Sequence, residues 1–292
     1  MSIRGGSMKL RDFINVAKPG IVFGNVFAAV GGFFIGSPES VNWSALTGLA
    51  VGTLMIIAGS CVINNYLDRD IDVRMSRTRK RPSVRGVIPV KIAMIYAGSL
   101  LALGLLMLLW LTNAPTALIG FGGALLYTLL YGYTKRHTPY ATFIGAFPGA
   151  TPPLAGYIAA TGRFDLGALL VFSAMFAWQM PHFYAISLRR LEDYKAAGVP
   201  VMPAVKGLAR TVWEMRFYGV AFIVLCFAIS HYGYAGFMFG CGTILAGLYW
   251  LAAMFSPYWR TDTTAVAKKV FLRSLAVLFV FCSLMVLSHV LL

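Results

Sequence analysis

The sequence predicts an all-α, polytopic membrane bundle of about nine transmembrane helices, with residues 1–292 forming a single integral-membrane domain. Three observations predict it. Hydrophobic residues make up 59% of the chain and charged residues 12%, about half the charged share of a soluble domain. Aspartate, glutamate, lysine and arginine are absent from seven long stretches: 19–38, 40–67, 92–134, 137–162, 166–188, 217–259 and 274–292. About 20 apolar residues cross a bilayer, so the two 43-residue stretches hold two helices each and the others one. Finally, 24 of the 25 lysines and arginines fall in the N-terminal arm and in every second loop, leaving only Arg163 on the opposite side.

The first span, 19–38, is entered from a basic arm, residues 1–18. That arm leads directly into a helix long enough to cross, so no cleavable signal peptide is expected. The second span, 40–67, runs into the loop 68–91, which carries eight lysines and arginines. The stretch 92–134 should turn at Thr112-Asn113-Ala114-Pro115, where the sequence offers helix breakers. After a short loop at Lys135 and Arg136 comes a span containing Pro148-Gly149-Ala150-Thr151-Pro152-Pro153. Prolines there remove donors and free carbonyls, an irregularity tolerated at depth where it is buried in protein or lines a cavity. The span 166–188 leads into the loop 189–216, and 217–259 should turn at His231-Tyr232-Gly233-Tyr234.

The positive-inside rule then places the N-terminus and the loops 68–91 and 189–216 in the cytoplasm and the C-terminus outside, in a multi-pass protein of the cytoplasmic (inner) membrane. The net charge of +15 follows from this topology rather than from nucleic acid, which is not expected as a partner. Besides the lipid bilayer itself, anionic headgroups or an anionic substrate remain as partners. Cys61, Cys226, Cys241 and Cys282 all fall inside expected spans with no metal-type spacing, and read as small core residues. The 30 glycines mostly allow close helix packing. Because no soluble domain can be cut out, function must lie in the bundle and its cytoplasmic rim.

The chemistry concentrates where the second span meets its basic loop. Asn64, Asp68 and Asp72 are four residues apart, and steps of four rotate by about 40° on a helix, so the three side chains share one face. Asparagine and aspartate oxygens suit Mg²⁺, which is commonly completed by substrate phosphates. The other reading is a solvated helix end whose acids are drawn to nearby arginines. Arg77 and Arg81, one turn apart, are candidates to fork onto phosphate oxygens, whereas Arg79, Lys80 and Arg85 read as topology determinants. Asp70 lies about 160° from Asp68 on a continuing helix and faces elsewhere unless the helix has ended. Lys135 and Arg136 form the next basic pair on the same side, beside His137.

A second cluster follows the sixth helix: Gln179, His182, Arg189, Arg190, Glu192, Asp193, Tyr194 and Lys195. His182, just after Pro181, reads either as a hydrogen-bonded structural residue or as a ligand. His231 and His289 lie at the outer ends, away from this chemistry. Trp178, Tyr184, Tyr131 and Tyr133 suit an aromatic belt or a pocket whose ring faces meet a cation.

Asn64-x-x-x-Asp68-x-x-x-Asp72 on such a bundle resembles the UbiA superfamily of intramembrane prenyltransferases. Longer strings resemble its heme O synthase (protoheme IX farnesyltransferase) branch: Lys18-Pro19-Gly20-Ile21, Asn64-Asn65-Tyr66-Leu67-Asp68-Arg69-Asp70-Ile71-Asp72, Arg77-Thr78, Gly149-Ala150-Thr151-Pro152-Pro153, Trp178-Gln179-Met180-Pro181-His182 and Asp193-Tyr194-Lys195-Ala196-Ala197-Gly198. The resemblance implies that Asn64, Asp68 and Asp72 hold Mg²⁺ and a diphosphate that departs to leave an allylic cation. It implies farnesyl diphosphate as donor and a vinyl group of heme b as acceptor, giving heme O and diphosphate in heme biosynthesis for terminal oxidases. The remaining contacts to substrate would come from Arg77, Arg81, Lys135, Arg136, Gln179, His182, Arg189, Arg190, Asp193, Tyr194 and Lys195.

One departure from the superfamily pattern is informative. Members acting on aromatic acids carry a second pair of acids four residues apart, whereas here Arg189 and Arg190 stand before Glu192 and Asp193. Those arginines suit a diphosphate or the propionates of a dianionic acceptor. Two rivals stay open: a UbiA-type enzyme prenylating a quinone-precursor ring, and a secondary transporter, for which polar groups and broken helices at mid-membrane are the expected signs.

Overall fold

Among the described residues every regular element is helical. The computed structural model describes residues 8–37 and 40–291, with side chains through residue 288. Residues 1–7 of the basic arm and the His289 side chain therefore lie outside the described residues. The long helices are α1 (Pro19–Ile35), α2 (Trp43–Leu67), α3 (Val90–Leu111), α4 (Ala114–Thr134), α5 (Ala141–Thr161), α6 (Leu166–Arg189), α7 (Gly207–His231), α8 (Phe237–Met254) and α9 (Thr263–Leu291).

By length and composition, seven of these can cross a membrane, and an eighth if Leu10–Val16 and α1, bent by 56° across Ala17 and Lys18, form one broken span. α5 falls outside that set. Its three internal prolines and its glycines dilute its apolar character, so the expected nine spans are supported as seven or eight. Large apolar side chains such as Trp110 and Phe237 remain 76% and 81% exposed, as lipid-facing residues of a multi-pass membrane protein should.

The expected turns carry their own stops. Asn113 caps α4, its side chain accepting from Thr116 N–H at 2.9 Å, and Gly233 takes a left-handed φ of 78° between α7 and α8. Asn42 and Asp165 cap α2 and α6 in the same way, each satisfying an otherwise orphaned amide.

Two loop boundaries move inward. The charged residues Arg210, Glu214 and Arg216 lie on α7 rather than in the loop expected to reach 216, and Lys268, Lys269 and Arg273 lie on α9. Arg210 pairs with Glu214 at 2.8 Å, while Arg216 and Arg273 donate to the carbonyls of Met254 and Tyr249. Long basic side chains can thus sit on the first turns of a helix while keeping their heads near polar partners.

The proline cluster does not break α5, which runs unbroken from Ala141 to Thr161. The Pro148 carbonyl, deprived of a donor by Pro152, is taken by the Thr151 hydroxyl at 2.8 Å, and Gln179 of α6 reaches the Ala146 carbonyl at 3.1 Å. Glycines set the spacing here. A Cβ on Gly156 would come within 1.9 Å of the Ala29 carbonyl oxygen, and one on Gly32 within 2.0 Å of that of Pro153, so α1 and α5 pack backbone to backbone. The four cysteines are free, with Cys61, Cys226 and Cys282 buried.

Candidate active site

The register of the acidic triplet survives the end of its helix. Asp68 caps α2 with φ −93° and ψ 4°, and Arg69–Asp72 forms a separate turn. Even so, Asp68 N–H bonds the Asn64 carbonyl at 3.0 Å and Asp72 N–H bonds the Asp68 carbonyl at 2.8 Å. Asn64, Asp68 and Asp72 keep 3%, 8% and 4% of their surface. The two acids of the triplet are thus buried rather than solvated, while each is paired with a basic side chain, as the reading of a helix end whose acids are drawn to nearby arginines also expects. Asp70 does face elsewhere: it is exposed and takes both guanidinium nitrogens of Arg136, at 2.6 and 2.8 Å. That hydrogen bonding holds its carboxyl down at about 2.

Four cations from three separate segments meet the buried triplet. The Lys18 ammonium donates to Asn64 Oδ1 at 3.1 Å. Lys135 pairs with Asp68 Oδ2, and Arg136 stands 3.7 Å from the other Asp68 oxygen. Arg81 bonds Asp72 Oδ2 at 2.6 Å and Asn65 Oδ1 at 3.2 Å. Burial pushes the Lys135 ammonium down, with the Asp68 charge opposing. Two buried carboxylates thus face more positive charge than they neutralise.

Two polar atoms among the described residues of this site are fully enclosed with no hydrogen-bond partner: Asn64 Nδ2 and Asp68 Oδ1. Such orphans are rare and call for an occupant. An enclosed donor suits an anionic oxygen, and an enclosed carboxylate oxygen suits a cation. No group of three or more His, Cys, Asp or Glu side chains comes together among the described residues. The protein would therefore offer a cation only a few oxygens, as fits Mg²⁺ that keeps waters and phosphate oxygens. When bound, that ion would be held by Asp68 and Asp72 beside Asn64.

α4 supplies the aromatic wall. Its stretch Leu126–Tyr131 widens into a π-helical turn, a feature frequent at functional sites. Tyr127 on this turn donates to Asn64 Oδ1 at 3.3 Å. Tyr131 stacks on Tyr127 at 5.7 Å between ring centroids, and Lys135 Nζ lies 5.3 Å from the Tyr131 ring centre.

The loop after α6 meets the loop after α2. Asp193 accepts from Ser76 Oγ at 2.8 Å and from Ser76 N–H at 3.3 Å, over a small core of Met75, Ala197 and Val199. Tyr194, half-buried, lies within electrostatic reach of Arg77 and Arg81. Arg189 and Arg190 line a cleft of about 400 Å³ with Ser76, Asp193 and Thr263. Neither arginine has an ion-pair partner among the described residues, and Arg189 lies 4.9 Å over the Phe271 ring.

The other candidates from the sequence stand apart. Lys195 is exposed and paired with Glu192 at 2.9 Å. Gln179 is buried in the α5–α6 contact, bonded to the Ala146 and Met175 carbonyls. His182 is buried against α9. Conversely, Lys18, Asn65 and Tyr127 belong to the site although sequence reasoning gave them no role. Lys18 carried a signal, a lone cation directly before proline at the mouth of an apolar run. Asn65 and Tyr127 carried none, because their roles depend on a loop fold and a π turn.

Comparison with known proteins places this geometry in context. The model of the UbiA prenyltransferase family matches residues 25–286. A protoheme IX farnesyltransferase 2 from Pseudomonas paraeruginosa is 42% identical over 266 residues, covering 90% of each chain. A protoheme IX farnesyltransferase from Citrobacter koseri is 40% identical over the same shares. Among solved structures, a digeranylgeranylglyceryl phosphate synthase superposes with a TM-score of 0.79 at 18% identity, covering 97% of this chain and 99% of that one. A UbiA homolog from Archaeoglobus fulgidus bound to DMAPP and Mg²⁺ gives 0.65 at 18% identity, covering 92% and 99%.

Proposed function

The chain belongs to the UbiA prenyltransferase family, and from that premise we propose that it transfers the farnesyl group of farnesyl diphosphate to a vinyl group of heme b, producing heme O and diphosphate. The bond between the allylic carbon and the diphosphate oxygen breaks, and its electron pair leaves with the diphosphate. The vinyl π electrons attack the allylic carbon, and water captures the resulting cation and loses a proton. Mg²⁺, when bound, supplies charge to hold the leaving group. Lys18, Arg81 and Lys135 add fixed positive charge where negative charge develops, and the Asn64 amide offers the departing oxygens a donor. Tyr127 and Tyr131 present ring faces beside the site and help keep it free of water.

The observation that carries the donor half is the pairing of an enclosed orphan donor with an enclosed orphan acceptor in a buried, cation-rich site. The acceptor half is supported by Arg189 and Arg190, which line the cleft between the two loops together with Glu192 and Asp193 yet pair with neither acid. The names of the 40–42% identical relatives agree with this choice. The basic loops suit the cytoplasmic side of the inner membrane, with the N-terminus there and the C-terminus outside.

The test is the dependence of diphosphate release on acceptor. Purified protein given farnesyl diphosphate and Mg²⁺ should release diphosphate with heme b and not with a hydroxybenzoate-type aromatic acid. Release driven by the aromatic acid alone would move the protein to the quinone-precursor branch, and no prenyl transfer at all would leave the transporter reading.

A further inference from the structure

Glu214 is a buried acid that prenyl transfer does not use. Its side chain on α7 is only 9% exposed, yet Trp213 and Phe217 beside it are each 54% exposed on the lipid-facing side of that helix. An ionised group so close to hydrocarbon is costly, and such residues mark ligand or ion sites. Two partners hold it: the Tyr184 hydroxyl of α6 donates to Oε2 at 2.5 Å, and Arg210 Nε donates to Oε1 at 2.8 Å. A carboxylate has about four lone-pair sites, so Glu214 keeps capacity to accept from a ligand.

Arg210 is half used as well. Its guanidinium lies 4.8 Å from the Trp213 ring centre, and Nη1 and Nη2 make no hydrogen bond or ion pair among the described residues. Stacked on indole and anchored through Nε, it presents a free, oriented edge of the kind that forks onto phosphate oxygens. Both charges line a cleft of about 310 Å³ that reaches the fully buried Met180 and Tyr184 and opens past Tyr140, Phe143, Phe217 and Tyr218. That volume is at the small end of ligand pockets. Tyr140 immediately precedes α5 and Arg210 lies on the first turn of α7, so the cleft sits at the end of the bundle that carries the basic loops. Tyrosine and tryptophan rings at that level belong to the headgroup layer.

The charge pattern selects the headgroup. Arg210 and Glu214 cancel, so a purely anionic lipid would gain one half-used cation and be repelled by the carboxylate beside it. A zwitterion satisfies both. Its phosphate takes the free edge of Arg210, and its ammonium takes the spare lone pairs of Glu214 and the ring faces of Tyr140 and Tyr218. A primary ammonium can donate to the carboxylate, which a quaternary one cannot. The acyl chains then leave along the exposed rings of Phe143 and Phe217.

We propose that the cleft between the start of α5, α6 and α7 binds the headgroup of a zwitterionic aminophospholipid, phosphatidylethanolamine, with its phosphate on Arg210 and its ammonium on Glu214. The site shares no residue with the acidic triplet and is independent of which acceptor is prenylated.

The experiment exposes full-length protein in micelles to phosphatidylethanolamine, phosphatidylcholine and phosphatidylglycerol of the same acyl chains, and counts retained lipids by native mass spectrometry. The wild type should retain one phosphatidylethanolamine about tenfold more tightly than either other lipid, as expected for one charge-assisted hydrogen bond. R210Q should weaken that retention about tenfold, and E214Q should bring the ethanolamine and choline lipids within about twofold of each other. Undiminished binding of farnesyl diphosphate reports that the variants are folded. Equal retention of the three lipids, preference for phosphatidylglycerol, or the wild-type preference in folded R210Q and E214Q overturns the proposal. If neither variant folds, fluorescence decides: the quenching of Trp213, isolated as the difference between wild type and W213F, should be stronger with brominated phosphatidylethanolamine than with brominated phosphatidylglycerol, and equal quenching overturns the assignment.

Discussion

Lys18 donates to the side-chain oxygen of Asn64 at 3.1 Å, across 46 residues of sequence. It does so from a left-handed backbone, φ 58° and ψ 65°, the only positive φ at a non-glycine among the described residues. That conformation costs a residue with a Cβ about 1 kcal/mol or more. The bend between Leu10–Val16 and α1 is thus what delivers an ammonium into the acidic site.

Lys18→Ala should lower kcat/KM for the prenyl diphosphate by about a hundredfold, the usual loss when one preorganised charge or donor is removed. Lys18→Gly should be as inactive, yet more stable than the alanine variant by about 1 kcal/mol, because glycine tolerates the left-handed backbone. Equal stability of the two variants in thermal unfolding would show that the backbone there is unstrained.

Lys135 and Asp68 are each largely buried, with side chains 11% and 12% exposed. Removing one partner strands the other, so Lys135→Met and Asp68→Asn should each destabilise by about 3 kcal/mol. The double variant should recover part of that loss. A double-mutant cycle read by denaturant unfolding in micelles checks it, and strict additivity would mean that the pair is not coupled.

Asp70 offers a pH test away from the site. Its carboxyl is lowered from 3.8 to about 2 by hydrogen bonds from Arg136. A depressed carboxyl contributes stability that is full above the unfolded value and is lost as pH falls from about 4 towards 2. The side chain is 59% exposed, so the contribution is small, about 0.2–1 kcal/mol. Asp70→Asn should flatten that acid limb of the stability curve and leave prenyl transfer within about twofold; a large loss of activity would mean that Asp70 acts in the site.

Close packing of α1 on α5 depends on Gly156. Gly156→Ala sets a methyl 1.9 Å from a backbone carbonyl oxygen that cannot rotate away, so the helices must part, at a cost of about 1–3 kcal/mol. A thermal midpoint equal to that of the wild type would show that the contact is looser than it stands.

Much of this was legible in the residues themselves. Charge-free stretches located the helices, because burying an ionised group in lipid is costly, and the breakers at Thr112–Pro115 and His231–Tyr234 marked the two tight turns. The four-residue spacing of Asn64, Asp68 and Asp72 survived a helix end because the backbone hydrogen bonds kept their step. What charge patterning misplaced were the starts of α7 and α9, since Arg210, Arg216 and Arg273 find polar partners while staying helical. Of the nine expected spans, α5 is one that length and composition do not confirm, because its prolines keep a helix yet dilute its hydrophobicity. The partners of the site were largely hidden. Which lysine meets which acid is decided by tertiary contacts such as Lys135 with Asp68, and nothing local announces the π turn that aims Tyr127.

The measurement that bears most directly on the central claim is mass analysis of heme after anaerobic incubation of the purified protein with heme b, farnesyl diphosphate and Mg²⁺. The account predicts heme gaining one farnesyl group and one hydroxyl with the wild type, and unchanged heme with Asp68→Asn or Asp72→Asn. Unmodified heme from active wild-type protein, or full conversion by either variant, would contradict it.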